Sequence, residues 1–264
     1  MTHALITASG RQLGRPVVAT ALFVLIALAG CDGGTGDDKD TASVKASWHI
    51  EHEGLAGAII SIWGRGVDDV WLAGAARKAA ETAESKGPTL MHRDKDGWQT
   101  LETGIDTGHL WWVYGNEEDF VWVCGDGGRI GKWMQKDANY VELAAATTAT
   151  LYGLWGPKDG PVWAVGGHVY PNQGPPVIVR VDGDVATLET ALPANIAPGA
   201  VFFKVWGRSA TDVTVISDQG DVLHWDGKVW TNDVMPGEPR LVTVHGNADE
   251  RIIVGGLATA SIFE

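Results

Sequence analysis

The sequence predicts an all-β chain, a five-bladed β-propeller with four strands per blade, and three observations carry that expectation. An aromatic residue followed by Gly recurs at Trp63-Gly64, Tyr114-Gly115, Trp155-Gly156, Trp206-Gly207 and His245-Gly246, with His in the aromatic slot of the last. Seven residues after each Gly stand Trp71, Trp122, Trp163, Thr214 and Ile253, without insertion or deletion. Successive glycines lie 51, 41, 51 and 39 residues apart, a spacing at which each repeat is one supersecondary unit that buries its faces only by stacking on its neighbours.

The fourth repeat shows the strands most plainly: Val201 to Trp206, Asp212 to Ile216, Asp221 to Trp225 and Lys228 to Asn232, divided by turns of Gly, Asp and Ser. Four strands per unit is a propeller blade. A helical solenoid would need long runs of 3.6-residue spacing, and the only series of good helix formers, Ala75 to Lys86, lies outside the repeating positions. The second strand of each repeat is a near-continuous apolar run, as expected of a strand covered on both faces. In the fifth repeat, strands at Leu241 to His245, Arg251 to Val254 and Ala258 to Phe263 are followed by no fourth. Trp48-His49-Ile50-Glu51 reads like the outer strands Trp98-Gln99-Thr100-Leu101 and Trp230-Thr231-Asn232-Asp233. The expectation is that this N-terminal strand closes the last blade and so removes its open edge.

Residues 1–30 are expected to be a signal peptide, 31–46 a flexible acidic tether and 47–264 the propeller. Arg11 and Arg15 precede the apolar run Val17 to Leu28, which is short for a membrane span and ends in Leu28-Ala29-Gly30-Cys31. That tetrapeptide resembles the bacterial lipobox. The resemblance implies cleavage before Cys31, lipidation of its sulfur and of the new amine, and stable anchoring by more than one acyl chain. The tether has almost nothing apolar to offset its ordering entropy.

The net charge of −13 becomes −15 once Arg11 and Arg15 are removed, which excludes the basic footprint of a nucleic-acid binder. With Cys31 lipidated, Cys124 stands alone and no internal disulfide can form. It occupies the position held by Ala73, Val165, Ile216 and Gly255 in the other repeats, which reads as a small core residue.

The motifs Trp63-Gly64 with Asp69-Val70-Trp71, Trp155-Gly156 with Val162-Trp163, Trp206-Gly207 with Asp212-Val213, and Asp221 to Gly227 with Trp230 resemble the Trp-Gly and Asp-Val-Trp propeller repeats of bacterial envelope lipoproteins. More distantly they are similar to Asp-box propellers and to the propeller of photosystem II assembly factors. The likeness covers Trp48 to Glu264. It implies a propeller but no single chemistry, because such proteins include hydrolases, lectins and assembly factors. A full Asp-box is not met; Ser217-Asp218-Gln219-Gly220 comes nearest.

Catalytic constellations are thin: there is no G-x-S-x-G elbow, H-E-x-x-H, P-loop or dinucleotide fingerprint. His49 and His52 beside Glu51 and Glu53 fall on mixed faces of a strand, so no metal site is read there. Asp68-Asp69, Glu117-Glu118-Asp119 and Asp249-Glu250 recur in the turn after the first strand and read as turn chemistry. The chain is therefore expected to be no enzyme and to use neither cofactor nor metal.

What breaks the repeat points to a site. The first repeat inserts Ala75 to Pro88 and the third Gly167 to Pro176, both between the second and third strands. In a propeller those loops share one rim with the connections between blades, where binding residues concentrate on a rigid scaffold. The candidates are Arg77, Lys78, His109, Trp111, His168, Tyr170, Asn172 and Gln173. The aromatic slots Trp63, Tyr114, Trp155 and Trp206 read as packing between blades. The position three before each Gly, held by Ser61, Trp112, Gly153, Lys204 and Thr243, varies and is a candidate for the axis. The favoured function is a lipid-anchored, non-catalytic scaffold of the bacterial cell envelope, holding an envelope protein on this rim. The alternative is a carbohydrate-binding propeller, and behind it a glycan-active hydrolase.

Overall fold

A computed structural model describes residues 50–55, 57–78, 85–168, 174–237, 239–255 and 261–263, all within the compact unit Ile50–Glu264. Cys31, the signal peptide and the tether lie outside the described residues. So do Trp48 and His49, the start of the expected closing strand.

The described residues are all-β apart from one turn of 3-10 helix at Asp126–Gly128. The first sheet joins β1 (Ile59–Gly66), β2 (Asp69–Lys78), β3 (Ser85–Asp94) and β4 (Gly97–Thr100). The second joins β5 (Leu110–Tyr114), β6 (Phe120–Gly125), β7 (Ile130–Met134) and β8 (Asn139–Glu142). The third joins β9 (Thr150–Trp155), β10 (Val162–Gly167), β11 (Val177–Asp182) and β12 (Val185–Leu188). The fourth joins β13 (Phe202–Ser209), β14 (Asp212–Ser217), β15 (Asp221–Trp225) and β16 (Trp230–Val234). The last sheet has three strands among the described residues, β17 (Leu241–Gly246), β18 (Arg251–Gly255) and β19 (Ser261–Phe263). Every pairing is antiparallel between consecutive strands.

The first strands stand side by side, β1 against β5, β5 against β9, β9 against β13 and β13 against β17. The core lies between sheets: one layer joins Trp71 and Leu90 to Leu110 and Val123, the next Trp122 and Ile130 to Leu151 and Leu154, and the largest runs from Trp163 and Ile178 through Phe202 and Trp206 to Leu241 and Ile253. The second strands β6, β10 and β14 are buried along almost their whole length, as their apolar runs require. Cys124 is one of these buried residues, its Sγ 3.5 Å from the Leu151 carbonyl, and burial pushes its thiol well above the ordinary range.

The recurrent Trp and Gly find their reason at the junctions. A Cβ on Gly115 would run into the ring of Trp63, and Cβ atoms on Gly207 and Gly246 would stand 2.7 Å from Trp155 and Trp206. At the remaining junction the Tyr114 hydroxyl donates to the Gly156 carbonyl at 2.8 Å. The aromatic residue of one repeat thus seats on the glycine of the next. Gly64 has no aromatic ring among its nearest neighbours, and Ile62 beside it is 68% exposed where Val113, Leu154, Val205 and Val244 are buried.

Three expectations need adjustment. Ala75 to Pro88 is not wholly a loop: β2 and β3 reach into it from its two ends, pairing Ala76 with Pro88 and Lys78 with Ser85, so the ladder prevails there over the local helix propensity. Ile50 and Glu51 lie outside any strand, and the Glu51 carboxylate meets Trp98 Nε1 at 3.1 Å and Arg93 at 3.8 Å, both in the first sheet. The fifth repeat keeps its spacing but pairs one residue out of step: His245 faces Ile252, whereas Trp63 faces Trp71 and Trp206 faces Thr214. The Asn247 side chain, accepting from the Asp249 and Glu250 amides, tightens the connecting turn.

Candidate functional site

Every first strand carries a β-bulge at one place, four residues before the repeat Gly. The register shifts around Ile60, Trp111, Tyr152, Phe203 and Val242. A bulge leaves its extra residue unpaired and re-aims the side chain. In three consecutive sheets that residue is aromatic, and the rings meet. Trp111 and Tyr152 lie edge to face with centroids 5.0 Å apart, and Tyr152 and Phe203 lie 5.2 Å apart. His109 extends the arc at 6.3 Å from Trp111. The arc sits at the end of the sheets that carries the expected rim, where second strands turn into third strands and each sheet passes to the next.

Asp126, opening the turn after β6, fixes one end of this arc. Its carboxylate accepts the His109 amide at 2.9 Å, Trp111 Nε1 at 2.8 Å and the Thr150 hydroxyl at 3.2 Å. Asp218 repeats the role after β14, taking the Val201 amide at 2.8 Å and Gln219 Nε2 at 3.2 Å. Both acids thus tie a hairpin turn to the chain arriving from the previous sheet. Between Phe203, Val201, Pro198, Asp218, Gln219 and Arg240 opens a cavity of about 410 Å³. Arg240 is exposed at its mouth and makes no ion pair among the described residues. Burial raises the Tyr152 hydroxyl pKa, so the phenol stays neutral at physiological pH.

The sequence candidates divide accordingly. His109 and Trp111 belong to the site. His109 Nδ1 accepts the Ala76 amide at 2.9 Å, which brings the extended first hairpin beside it and fixes the proton on Nε2. Arg77 and Lys78 follow Ala76 at the end of β2, and their side chains lie outside the described residues. His168 is partly buried, with its ring near Gly174 in its own loop. Tyr170, Asn172 and Gln173 lie outside the described residues. Tyr152, Phe203, Asp126, Asp218, Gln219 and Arg240 escaped the sequence reading. Tyr152 and Phe203 stand one step before the variable position, where the repeat alone marks nothing but an apolar residue.

That variable position holds a different feature. Lys204 Nζ lies 3.9 Å from the centre of the Trp112 ring and donates to the Tyr152 carbonyl at 3.2 Å. Burial lowers its pKa to about 8. Ser61 is buried and accepts the Val113 amide at 3.2 Å, a tie between the first two sheets.

Several acids at the starts of strands hold side-chain networks together. Asp69 accepts from Arg65, from Trp71 Nε1 at 2.7 Å and from His92 Nε2 at 2.9 Å. Asp212 accepts from Arg208 and His224, each at 3.0 Å, and from Arg251 of the next sheet at 2.5 Å. Asp221 is fully buried and takes Ser217 Oγ at 2.6 Å and Asn232 Nδ2 at 2.8 Å. A larger cavity of about 550 Å³ at the opposite end is entered by Lys132, already clamped by Phe120, Trp122 and Asp184. Among the described residues no group of three or more His, Cys, Asp or Glu could hold a metal ion.

No protein-family model matches the chain, and no curated protein matches it. Solved structures do. YCF48 from Cyanidioschyzon merolae matches with a TM-score of 0.56 at 13% identity, over 81% of this chain and 69% of that one. The WD40 β-propeller domain of Doa1 matches at 0.53 and 13% identity, over 77% of this chain and 63% of that domain. The extracellular domain of the hybrid two-component system BT3049 from B. thetaiotaomicron matches at 0.53 and 10% identity, over 79% of this chain and 28% of that one. At these identities the likeness is one of fold, and together with the consecutive antiparallel sheets it shows a chain of the β-propeller kind.

Proposed function

We propose that this protein is a lipid-anchored, non-catalytic scaffold of the bacterial cell envelope that holds another envelope protein on the rim bearing the aromatic arc. The observation that carries the reading is the partly exposed pair Trp111 and Phe203, joined through the buried Tyr152, beside a cavity lined by the exposed Arg240, which makes no ion pair among the described residues. Aromatic and Arg side chains on a rigid frame are the usual anchors of protein interfaces. Tyr152 is only 4% exposed and meets Trp111 edge to face, so the arc offers no flat shelf for stacked sugar rings. That favours a protein over a glycan on the arc itself. The anchor rests on the lipobox-like Leu28 to Cys31, and the acidic tether lets the domain stand off an anionic surface.

The accompanying fold reading is a closed five-bladed ring. It is supported by Ile62, 68% exposed where its counterparts Val113, Leu154, Val205 and Val244 are buried. In a ring the first and fifth sheets are neighbours, which is compatible with Glu51 resting on Trp98.

The test is crosslinked capture from a bacterial envelope extract by the wild type, by Arg240→Glu with Gln219→Ala, and by Lys158→Glu at the opposite end. A discrete protein held by the wild type and Lys158→Glu but lost from the rim variant supports the reading. Equal capture by all three contradicts it.

A further inference from the structure

On the outer flank of the second sheet a cavity of about 420 Å³ lies between the segment leading into β5 and the strands β7 and β8, lined by Thr103, Asp106, Thr107, Arg129, Tyr140 and Glu142. The Tyr140 ring covers Gly131 so closely that no Cβ could be placed there. This packing fixes the phenol, and its shielded hydroxyl makes no well-formed hydrogen bond among the described residues, with only the Glu142 carboxylate near enough to interact with it. A shielded donor left unmade is costly, and its persistence at a polar cavity calls for an account. Burial and the neighbouring Glu142 charge push its pKa up, partly offset by Arg129, so the group is a standing O–H donor.

The surrounding groups are half used. Arg129 gives Nε to Glu142 Oε2 at 3.2 Å and Nη1 to the Thr107 carbonyl at 3.4 Å, which leaves Nη2 without a hydrogen bond among the described residues. Thr103 Oγ takes the Ile105 amide at 3.3 Å and keeps its own proton to give. The cavity therefore offers donors (Arg129, Tyr140) beside carboxylate acceptors (Glu142, Asp106), with hydroxyls able to act as either. An anion meets two carboxylates there, a cation meets the guanidinium, and an apolar ligand finds no exposed aromatic face. A pair of neighbouring hydroxyls, each both donor and acceptor, satisfies the set. The volume suits one small ring.

We infer that this cavity is a binding site for a neutral sugar unit, its adjacent hydroxyls bridging Arg129 and Glu142 while Tyr140 donates a third hydrogen bond. The site goes beyond the protein-holding reading of the rim and stands whether or not a protein is captured by the arc.

The experiment is a nuclear magnetic resonance titration of the full chain carrying Cys31→Ser, so that it remains free of lipid. The probes are the methyl glycosides of glucose, galactose, mannose and N-acetylglucosamine. At least one glycoside is expected to shift amides of residues 103–107, 129 and 140–142. Tyr140→Phe, which deletes only the shielded hydroxyl, should largely keep the melting temperature and weaken binding about tenfold, the loss of one hydrogen bond. Glu142→Gln, on the exposed side, should weaken it similarly and serves if Tyr140→Phe does not fold. No shift with any glycoside, or undiminished binding by both variants, overturns the assignment.

Discussion

Two side chains at the junctions between sheets set how the molecule responds to pH. Burial alone would raise the Asp212 carboxyl, but the hydrogen bond from His224 and the charges of Arg251 and Arg208 overcome it and hold the group below its ordinary value of 3.8. A depressed carboxylate contributes stability above its unfolded pKa and loses it as pH falls through the folded one. Asp212→Asn should therefore cost about 1–2 kcal/mol at pH 7, after allowance for partial exposure, and the gap to wild type should close below about pH 4 in urea titrations. A constant gap down to pH 2 would mean that the carboxylate charge is not what matters. Lys204 has the opposite sign. Its amine is lowered by burial to about 8 from 10.5, so the folded state gives up its proton before the unfolded chain does. Stability should rise with pH between those values, and Lys204→Met should abolish that rise.

At the scale of elements, the seat of an aromatic on the next sheet's glycine unites the Trp-Gly repeat with the packing. Trp206→Ala removes the ring between Val205 and Gly246 and should destabilise by about 3–5 kcal/mol in denaturant melts. The repeat, its four-strand units and the buried second strands were legible because their spacing is fixed in sequence. Less legible was the first hairpin, where Ala75 to Lys86 reads as helix former until pairing of β2 with β3 is known. The bulges were invisible, since a bulge is a property of pairing and not of either strand alone. With them went Tyr152 and Phe203, which read as ordinary alternating strand residues. His109 and Trp111 were reachable because they fall at the rim by position. Asp126 and Asp218 were not, because their partners lie 17 residues away in the chain.

For the whole molecule, ring closure and function are tested at different places. In a five-bladed ring the fifth sheet covers Ile62, so Ile62→Asp should cost about 2–3 kcal/mol, as for burial of a charge in place of a full aliphatic side chain. A neutral effect would instead leave that face open to water. The rim is the same in either arrangement, since the arc spans only the second to fourth sheets. The most direct measurement of the central claim is therefore capture from envelope extract, compared between the wild type, Arg240→Glu with Gln219→Ala, and Lys158→Glu. A single protein retained by the first and third and lost by the second is the outcome predicted for an aromatic rim that holds a partner. A protein retained equally by all three, or none retained by any, would contradict it.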